Sequence, residues 1–231
     1  MTPPVVLTIA GSDSGGAAGI AADLTTFAAL GAHGAVAVTA ITAQCTLGVH
    51  RIVPLPPDDV VAQVRAVLDD LPVAAVKTGM LGSADVARAV VAVLPADVPL
   101  VVDPVLVATS GAVLAAPDLV AAYREVVLPR ATVATPNTDE RAALGELPCP
   151  SLVTGASVDV LDGQPLRAAR VPTDNDHGTG CTHSAALAAY LAHGRPLAEA
   201  ARLAQQFVVD RLTVSASWSL GRGRGPVAHI L

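Results

Sequence analysis

The strongest chemical signal in the sequence is the segment His177-Gly178-Thr179-Gly180-Cys181-Thr182, which leads into a predicted helix. Glycines at a helix start leave backbone N–H groups free, and the helix dipole adds positive potential, so the segment predicts an anion-binding site. Cys181 falls in the first helical turn, where a thiolate would be stabilised. The alternative is a buried structural cysteine after an ordinary glycine-rich turn, and we favour the functional interpretation. A catalytic Cys–His pair formed with His177 or His183 also stays open.

Polar residues at two further positions could bind a ligand. Asp103 ends an apolar segment and precedes a proline, and a carboxylate there could hold Mg²⁺ or could equally cap a turn. Asn137 and Glu140 are three residues apart at a predicted helix start, so both can face one ligand. The pattern Asn-x-x-Glu also fits a helix capping box, and on these residues alone the capping box is the better interpretation.

A glycine-rich loop follows the first apolar segment. Gly11 and Gly16 have the spacing of a Walker A motif, but Ala17 stands where that motif requires lysine, so a P-loop is excluded. The loop also lacks the G-x-G-x-x-G pattern of dinucleotide folds. We expect it to face a ligand rather than only to turn the chain, because strand-to-helix turns form the usual rim of sites in α/β proteins.

The elements that position these residues follow from apolar periodicity, which switches repeatedly between strand and helix patterns. Strands are predicted at Val5–Ala10, Ala35–Thr42, Val73–Lys77, Pro99–Asp103, Ala131–Thr135 and Ser151–Thr154, with a hairpin over Ser157–Val171 around Asp162-Gly163. Helices are predicted from Ile20 to Gly31, from Pro57 to Leu71, after Ser83 through Val93, and over Pro117–Leu128, Thr179–His193 and Pro196–Leu212. This alternation predicts one α/β domain with a mainly parallel sheet covered on both faces, and the polar clusters fall at one rim of that sheet.

Composition excludes several classes of protein. The chain has 231 residues, 52% of them hydrophobic, and a net charge of −6. An acidic chain with only 2% aromatic residues has neither the basic patch nor the stacking residues that bind nucleic acid. No apolar run is long enough for a membrane helix. Three scattered cysteines form neither a disulfide framework nor a zinc site. We therefore expect a cytoplasmic protein without a secretory signal.

Seven ordered motifs resemble the hydroxymethylpyrimidine/phosphomethylpyrimidine kinases of thiamine biosynthesis, in the ribokinase-like superfamily. The resemblance spans nearly the whole chain. The matching residues are Leu7–Asp13, Ala43-Gln44, Lys77–Gly82, Val102–Val105, Thr135-Pro136-Asn137-x-x-Glu140, His177–Thr182 and Ser219-Leu220-Gly221-x-Gly223-x-Gly225-Pro226.

The resemblance implies a three-layer αβα fold without a separate lid domain, and transfer of the γ-phosphate of ATP to a hydroxymethylpyrimidine and then to its monophosphate. It places Cys181 where the hydroxyl proton is received, with Gly178, Thr179 and Gly180 around the transferring phosphoryl group. The pyrimidine-binding positions it implies are Gly11, Asp23, Gln44, Met80 and Val107. It assigns Mg²⁺ to Asp103 and Glu140, and ATP to Asn137, Glu140, Lys77 and Thr179. We also expect a homodimer.

The chain departs from the family pattern in one segment and two lysines. It forms a single domain over residues 1–231 that is shortened between about 141 and 151. Thr154-Gly155 stands where a Lys-Gly-Gly-His-like stretch is expected, and the usual Ala-Lys-Ser-Gly segment reads Ala108-Thr109-Ser110-Gly111. Two lysines near the nucleotide are therefore missing, and Lys77 is the only lysine in the chain. A pyridoxal-type vitamin kinase and a pyrimidine-binding regulatory module without catalysis are the alternatives.

Overall fold

Short runs of valine, isoleucine and alanine supply the strands, and longer segments with a period near 3.6 supply the helices. The computed structural model describes residues 2–107, 111, 114–155 and 158–230. In chain order the elements are β1 (Val5–Ala10), α1 (Gly19–Ala29), β2 (His33–Val38), β3 (Ala40–Cys45), β4 (Gly48–Pro54), α2 (Pro57–Leu68), β5 (Val73–Thr78), α3 (Ala84–Val93), β6 (Leu100–Val102), α4 (Pro117–Ala122), a π-helical turn (Tyr123–Val127), α5 (Leu128–Arg130), β7 (Val133–Ala134), α6 (Thr138–Leu144), β8 (Leu152–Val153), β9 (Asp159–Leu161), β10 (Gln164–Leu166), α7 (Thr179–Ala192) and α8 (Leu197–Ser215).

The central sheet has five parallel strands in the order β2-β1-β5-β6-β7. Every residue of β1 is buried, as expected for a strand with a neighbour on each side and helices on both faces. At the β7 edge, isolated parallel bridges join Ala134 to Ser151 and Asn137 to Thr154, and β8, β9 and β10 continue as an antiparallel sheet. The predicted parallel α/β sheet is confirmed.

Two apolar layers cover the faces of the sheet. One contains α2, α3 and α4, with Val60, Val64 and Val90 fully buried against the strands. The other contains α1, α7 and α8, where alanines dominate and Phe27 is fully buried. The small side chains of α7 let this helix lie close to α1, α8 and β5. The three-layer αβα arrangement is therefore confirmed.

The predicted strand Ala35–Thr42 is wrong, because the chain breaks at Thr39. β2 ends at Val38, and β3 leaves the sheet to pair with β4 in a hairpin that the sequence analysis did not predict. The Thr39 side chain donates to the carbonyl of Met80 at 2.6 Å, and its N–H donates to the carbonyl of Ala10 at 3.0 Å. The apolar pattern runs on through this break, so periodicity alone could not reveal it.

The remaining elements follow the predictions with shifted ends. The Ser83 hydroxyl accepts from the N–H of Val86 and caps α3 as predicted. The helix predicted over Pro117–Leu128 is observed, but it contains a π-helical turn and ends at Arg130. The hairpin turns at Asp162 and Gly163, both with positive φ, while Ser157 at its predicted start lies outside the described residues. Among the helices of the described ranges, none is long and apolar enough to cross a membrane.

Candidate active site

A cavity of about 1020 Å³ opens at the carboxyl ends of the parallel strands. Residues that follow β1, β5, β6 and β7 line it, together with the start of α7. This is the rim at which ligands bind in open α/β sheets, and its volume is at the upper end of the usual range for small-molecule sites. The cavity therefore has room for two small molecules side by side.

Most of the predicted site residues meet in this cavity. Those that line it are Gly11, Gln44, Lys77, Met80, Asp103, Val107, Asn137, Glu140, Gly178, Thr179, Gly180 and Cys181. Thr109, where one family lysine is expected, lies outside the described residues, whereas Thr154 and Gly155 line the cavity. Asp23 is the predicted site residue that the structure places elsewhere, fully buried and away from the cavity lining.

The start of α7 lies directly against the loop that follows β1. Gly178 caps the helix with φ of +88°, and a Cβ built there would lie 1.8 Å from the carbonyl oxygen of Ala17. The Thr179 hydroxyl donates to the carbonyl of Asp176 at 2.6 Å and so closes the turn. Only glycine fits at position 178, because of both its conformation and this backbone contact. The N–H of Thr179 donates to the carbonyl of Asp176, and the next N–H groups of α7, those of Gly180 and Cys181, form an anion site beside the glycine-rich loop.

The Cys181 thiol is protonated at neutral pH, so the expected stabilised thiolate is wrong. Burial of the thiol raises its pKa to about 12, with Lys77 opposing this shift and the carboxylates of Asp103 and Asp23 adding to it. The residue itself is only partly buried, since one side of it faces the cavity. The effect of the helix N-terminus is therefore outweighed by dense packing and neighbouring negative charge.

A buried ion pair lies under the cavity floor. The ammonium of Lys77 is 2.9 Å from both carboxylate oxygens of Asp23 and 4.0 Å from an oxygen of Asp103. The Thr8 hydroxyl also donates to Asp23 at 2.5 Å. Burial alone would lower the pKa of Lys77, but the two carboxylates outweigh it and raise the pKa above its usual value. The only lysine in the chain is therefore a fixed cation whose hydrogen bonds go to Asp23.

Asp103 and Glu140 face the cavity from β6 and α6. Asp103 accepts a hydrogen bond from the Ser184 hydroxyl at 3.0 Å. Glu140 accepts from the N–H groups of Asn137 and Leu106, and the Asn137 side chain accepts from Asp139 and Glu140, so the capping box is present. Burial and the charge of Asp103 raise the pKa of Glu140 to about 7.

This carboxylate pair fits a magnesium ion. Its oxygens are hard donors, and the repulsion that raises the pKa of Glu140 would be relieved by a divalent cation. In the described ranges, no group of three or more His, Cys, Asp or Glu side chains is arranged to hold a metal. Mg²⁺ commonly takes one or two carboxylates, with phosphate oxygens and water completing its shell, so two are sufficient.

Small and apolar residues and a cluster of three polar side chains also line the cavity. A Cβ at Gly11 would lie 2.5 Å from the Cε atom of Met80, so glycine there leaves space for the thioether. Val107 is 46% exposed and also lines the cavity. Gln44 contacts His177, which in turn contacts Asp13. Asp13 and His177 were not predicted to bind the substrate, although both lie inside motifs shared with the family.

Two arginines that sequence reasoning missed also line the cavity. Arg224, in the glycine-rich tail, is paired with Asp176, and Arg170 follows β10. Arg141, the other cation that could have replaced the missing lysines, instead donates to the carbonyl of Gly145. Spacing gave no signal for Arg170, since no motif surrounds it.

Comparison with known proteins identifies close relatives. A family model described as phosphomethylpyrimidine kinase matches residues 13–157 and 151–228. A hydroxymethylpyrimidine/phosphomethylpyrimidine kinase of Streptomyces coelicolor is 45% identical over 258 aligned residues, covering 99% of this chain and 95% of the relative. Among solved structures, an ADP complex of Bacillus subtilis pyridoxal kinase superimposes with a TM-score of 0.89 at 33% identity, covering 99% of this chain and 98% of that one. A phosphomethylpyrimidine kinase of Clostridium difficile gives a TM-score of 0.75 at 34% identity, covering 90% of this chain and 98% of that one.

Proposed function

Because the chain belongs to the phosphomethylpyrimidine kinase family, we propose that it phosphorylates 4-amino-5-hydroxymethyl-2-methylpyrimidine with ATP, in thiamine biosynthesis. The monophosphate formed first is the second acceptor and is converted to the pyrophosphate. The observation that carries this proposal is the match over nearly the full chain together with an anion site, at the start of α7, that opens into the same cavity as Gln44.

In this proposal the pyrimidine ring occupies the end of the cavity lined by Gly11, Gln44, Met80 and Val107. A thioether and an aliphatic side chain pack on the ring, which suits a chain with so few aromatic residues. The amide of Gln44 can donate to or accept from an aminopyrimidine. Asp23 acts from below as the counter-ion of Lys77 rather than by touching the ring.

The phosphoryl group transfers at the start of α7. Backbone N–H groups of Gly178 and Gly180 stabilise the negative charge that develops on the equatorial oxygens, and Thr179, whose N–H donates to the carbonyl of Asp176, holds the turn between them. Cys181 lies beside the acceptor hydroxyl and orients it. Because its thiol already carries a proton, the hydroxyl proton passes to an oxygen of the transferred phosphoryl group. Because the pKa of the thiol is about 12, positioning of the hydroxyl contributes more to the rate than removal of the proton.

ATP and Mg²⁺ are the expected cofactors. Asp103 and Glu140 would hold Mg²⁺, and Asn137 and Thr179, which line the same cavity, would contact the phosphates. Bound Mg²⁺ would neutralise charge on the transferring phosphate. Since Lys77 is engaged with Asp23, Arg170 and Arg224 supply the cations that the missing lysines would otherwise provide. Arg224 would exchange part of its exposed contact with Asp176 for a phosphate oxygen.

A pyridoxal kinase is the second candidate, because the pyridoxal kinase of Bacillus subtilis superimposes with a TM-score of 0.89. The curated relatives favour the pyrimidine substrate. ADP release measured with the pyrimidine, its monophosphate and pyridoxal as separate acceptors discriminates between the two. A binding module that has lost catalysis would bind the pyrimidine and release no ADP with any of them.

The β3–β4 hairpin supports the expected homodimer. Ile41 and Val53 are register partners on adjacent strands and are 54% and 40% exposed. Leu47 at the turn is also exposed. An apolar pair of this kind on a hairpin that is mostly exposed is typical of an interface. Light scattering of the native chain and of Ile41→Lys tests the proposal: a dimer that the substitution dissociates supports it, and a native monomer contradicts it.

A further inference from the structure

Three polar side chains meet at the pyrimidine end of the cavity, and they come from three distant parts of the chain. The Nε2 atom of His177 lies 3.3 Å from an oxygen of Asp13 and 3.1 Å from the terminal amide of Gln44. Asp13 and His177 are 7% and 8% exposed. The backbone of His177 is fixed on both sides, since its N–H donates to Gly225 and its carbonyl accepts from Val227. The imidazole is thus held in one place.

Asp13 is an ionised carboxylate and can only accept. One of its oxygens accepts from the N–H of Gly15 at 2.7 Å, and the other accepts from Ala17 and Ala18 at 3.1 and 2.8 Å. Burial alone would raise the pKa of Asp13, but the hydrogen bonds from His177 and from these backbone groups outweigh it and hold the pKa below its usual value. A lone pair on Nε2 would face this negative charge and be repelled, so Nε2 must carry a proton.

That proton decides which end of the Gln44 amide points inward. A protonated Nε2 cannot bond to an amide NH₂ group, because both are donors. The oxygen and nitrogen of an amide have nearly the same shape and are assigned from their hydrogen-bond partners. The amide oxygen is therefore the end at His177, where it shares a three-centre bond with Asp13, and the NH₂ group faces the cavity.

We propose that Asp13 and His177 are positioning residues that fix Gln44 as a hydrogen-bond donor, so that the site selects a ring with an unprotonated nitrogen acceptor. This proposal rests on the proposed function for the identity of the substrate. It adds a role for Asp13 and His177, which the proposed function does not include. A 4-aminopyrimidine has two such nitrogens. When C–H replaces the ring nitrogen that accepts this hydrogen bond, the NH₂ group of Gln44 has no partner. The specificity for such a ring is then lower by about tenfold.

The first test needs no substrate, so it stands even if the proposed reaction fails. Long-range ¹H–¹⁵N spectra of the free protein labelled in histidine report which ring nitrogen carries the proton. His177→Gln assigns the signal, and His193→Gln is the matched control, because His193 contacts the carbonyl of Leu30 far from Gln44. The proposal predicts that His177 carries its proton on Nε2 in the native protein and that this tautomer changes in the Asp13→Asn variant. An Nδ1–H tautomer in the native protein overturns it.

The second test is a double-mutant cycle between protein and substrate. Two analogues, each with one ring nitrogen replaced by C–H, are compared with the parent pyrimidine in the native chain and in His177→Phe. One analogue should lose about tenfold in kcat/KM with the native chain, mainly through KM, and this penalty should vanish in His177→Phe. An equal penalty in both proteins overturns the proposal, because a merely structural role of His177 would lower kcat/KM for all substrates by the same factor. If His177→Phe does not fold, Asp13→Asn replaces it in the cycle.

Discussion

The ammonium of Lys77 lies 2.9 Å from each carboxylate oxygen of Asp23, and both side chains are fully buried. The pair joins β5 to α1 directly beneath the cavity, and Asp103 at the end of β6 lies 4.0 Å from the same ammonium. One buried cation thus balances two carboxylates close to Cys181. The only lysine of the chain supports the site from below, and the phosphates must find positive charge elsewhere.

Removing this cation should destabilise the fold. Lys77→Met leaves Asp23 buried without its partner, and breaking a buried ion pair in this way costs about 3–5 kcal/mol. Urea unfolding followed by circular dichroism measures the change in the free energy of unfolding. Arg88→Gln is the control, because Arg88 and Asp85 form an exposed pair 3.7 Å apart, for which the loss should stay below about 1 kcal/mol. Equal losses in the two variants would contradict a structural role for Lys77.

Alanine at the two glycines of the anion site should have opposite effects. Gly178→Ala places a methyl group 1.8 Å from the carbonyl of Ala17 at φ of +88°, so the loop must move and the melting temperature should fall. At Gly180 a Cβ meets nothing within 4 Å, so Gly180→Ala should keep or slightly raise stability. Its methyl group would still crowd the phosphate, and KM for ATP should rise at least about tenfold. Calorimetry and steady-state kinetics measure both effects, and loss of stability in both variants would argue against this account.

Glu140→Gln should weaken the binding of Mg²⁺ at the site. The amide can still accept from the N–H of Asn137, so α6 remains capped, but the charge that attracts Mg²⁺ is lost. The concentration of Mg²⁺ that gives half-maximal rate should increase at least about tenfold. Asp139→Asn is the matched control, since Asp139 lies in the same first turn but is exposed. An unchanged Mg²⁺ requirement in Glu140→Gln would remove this residue from the metal site.

Stability should fall with acid through His229. Burial and the charge of Arg211 lower the pKa of this imidazole from 6.5 to about 4. Between pH 6.5 and about pH 4, His229 binds a proton in the unfolded chain but not in the folded chain. The free energy of unfolding therefore decreases as the pH falls through this range. Partial exposure of the ring limits the effect to roughly 2 kcal/mol. Urea unfolding at several pH values measures it, and His229→Gln should flatten that part of the profile; an unchanged profile would rule out His229 as its cause.

Local sequence patterns predicted most helices and strands, but they could not predict contacts between residues that are distant in sequence. The buried run Val5–Ala10 and the cap at Ser83 are visible in the sequence because they depend on neighbouring residues. The break at Thr39 was missed because its hydroxyl bonds to Met80, far along the chain.

The site shows the same division. The motifs placed Gln44, Asp103 and Cys181 at one cavity, because each follows a strand or begins a helix at the same rim. The pKa of Cys181 could not be read from its helical position, since it depends on Asp103 and Asp23 packed around the thiol. The partner of Asp23 is likewise 54 residues away in sequence, which no spacing rule connects.

The central claim is that this chain phosphorylates a hydroxymethylpyrimidine. It is tested most directly by measuring ADP release from ATP with the pyrimidine, its monophosphate or pyridoxal as acceptor, each with and without Mg²⁺. We predict Mg²⁺-dependent turnover of the pyrimidine and of its monophosphate, with kcat/KM for the pyrimidine at least about tenfold above that for pyridoxal. Tight binding of the pyrimidine without ADP release from any acceptor would contradict the claim.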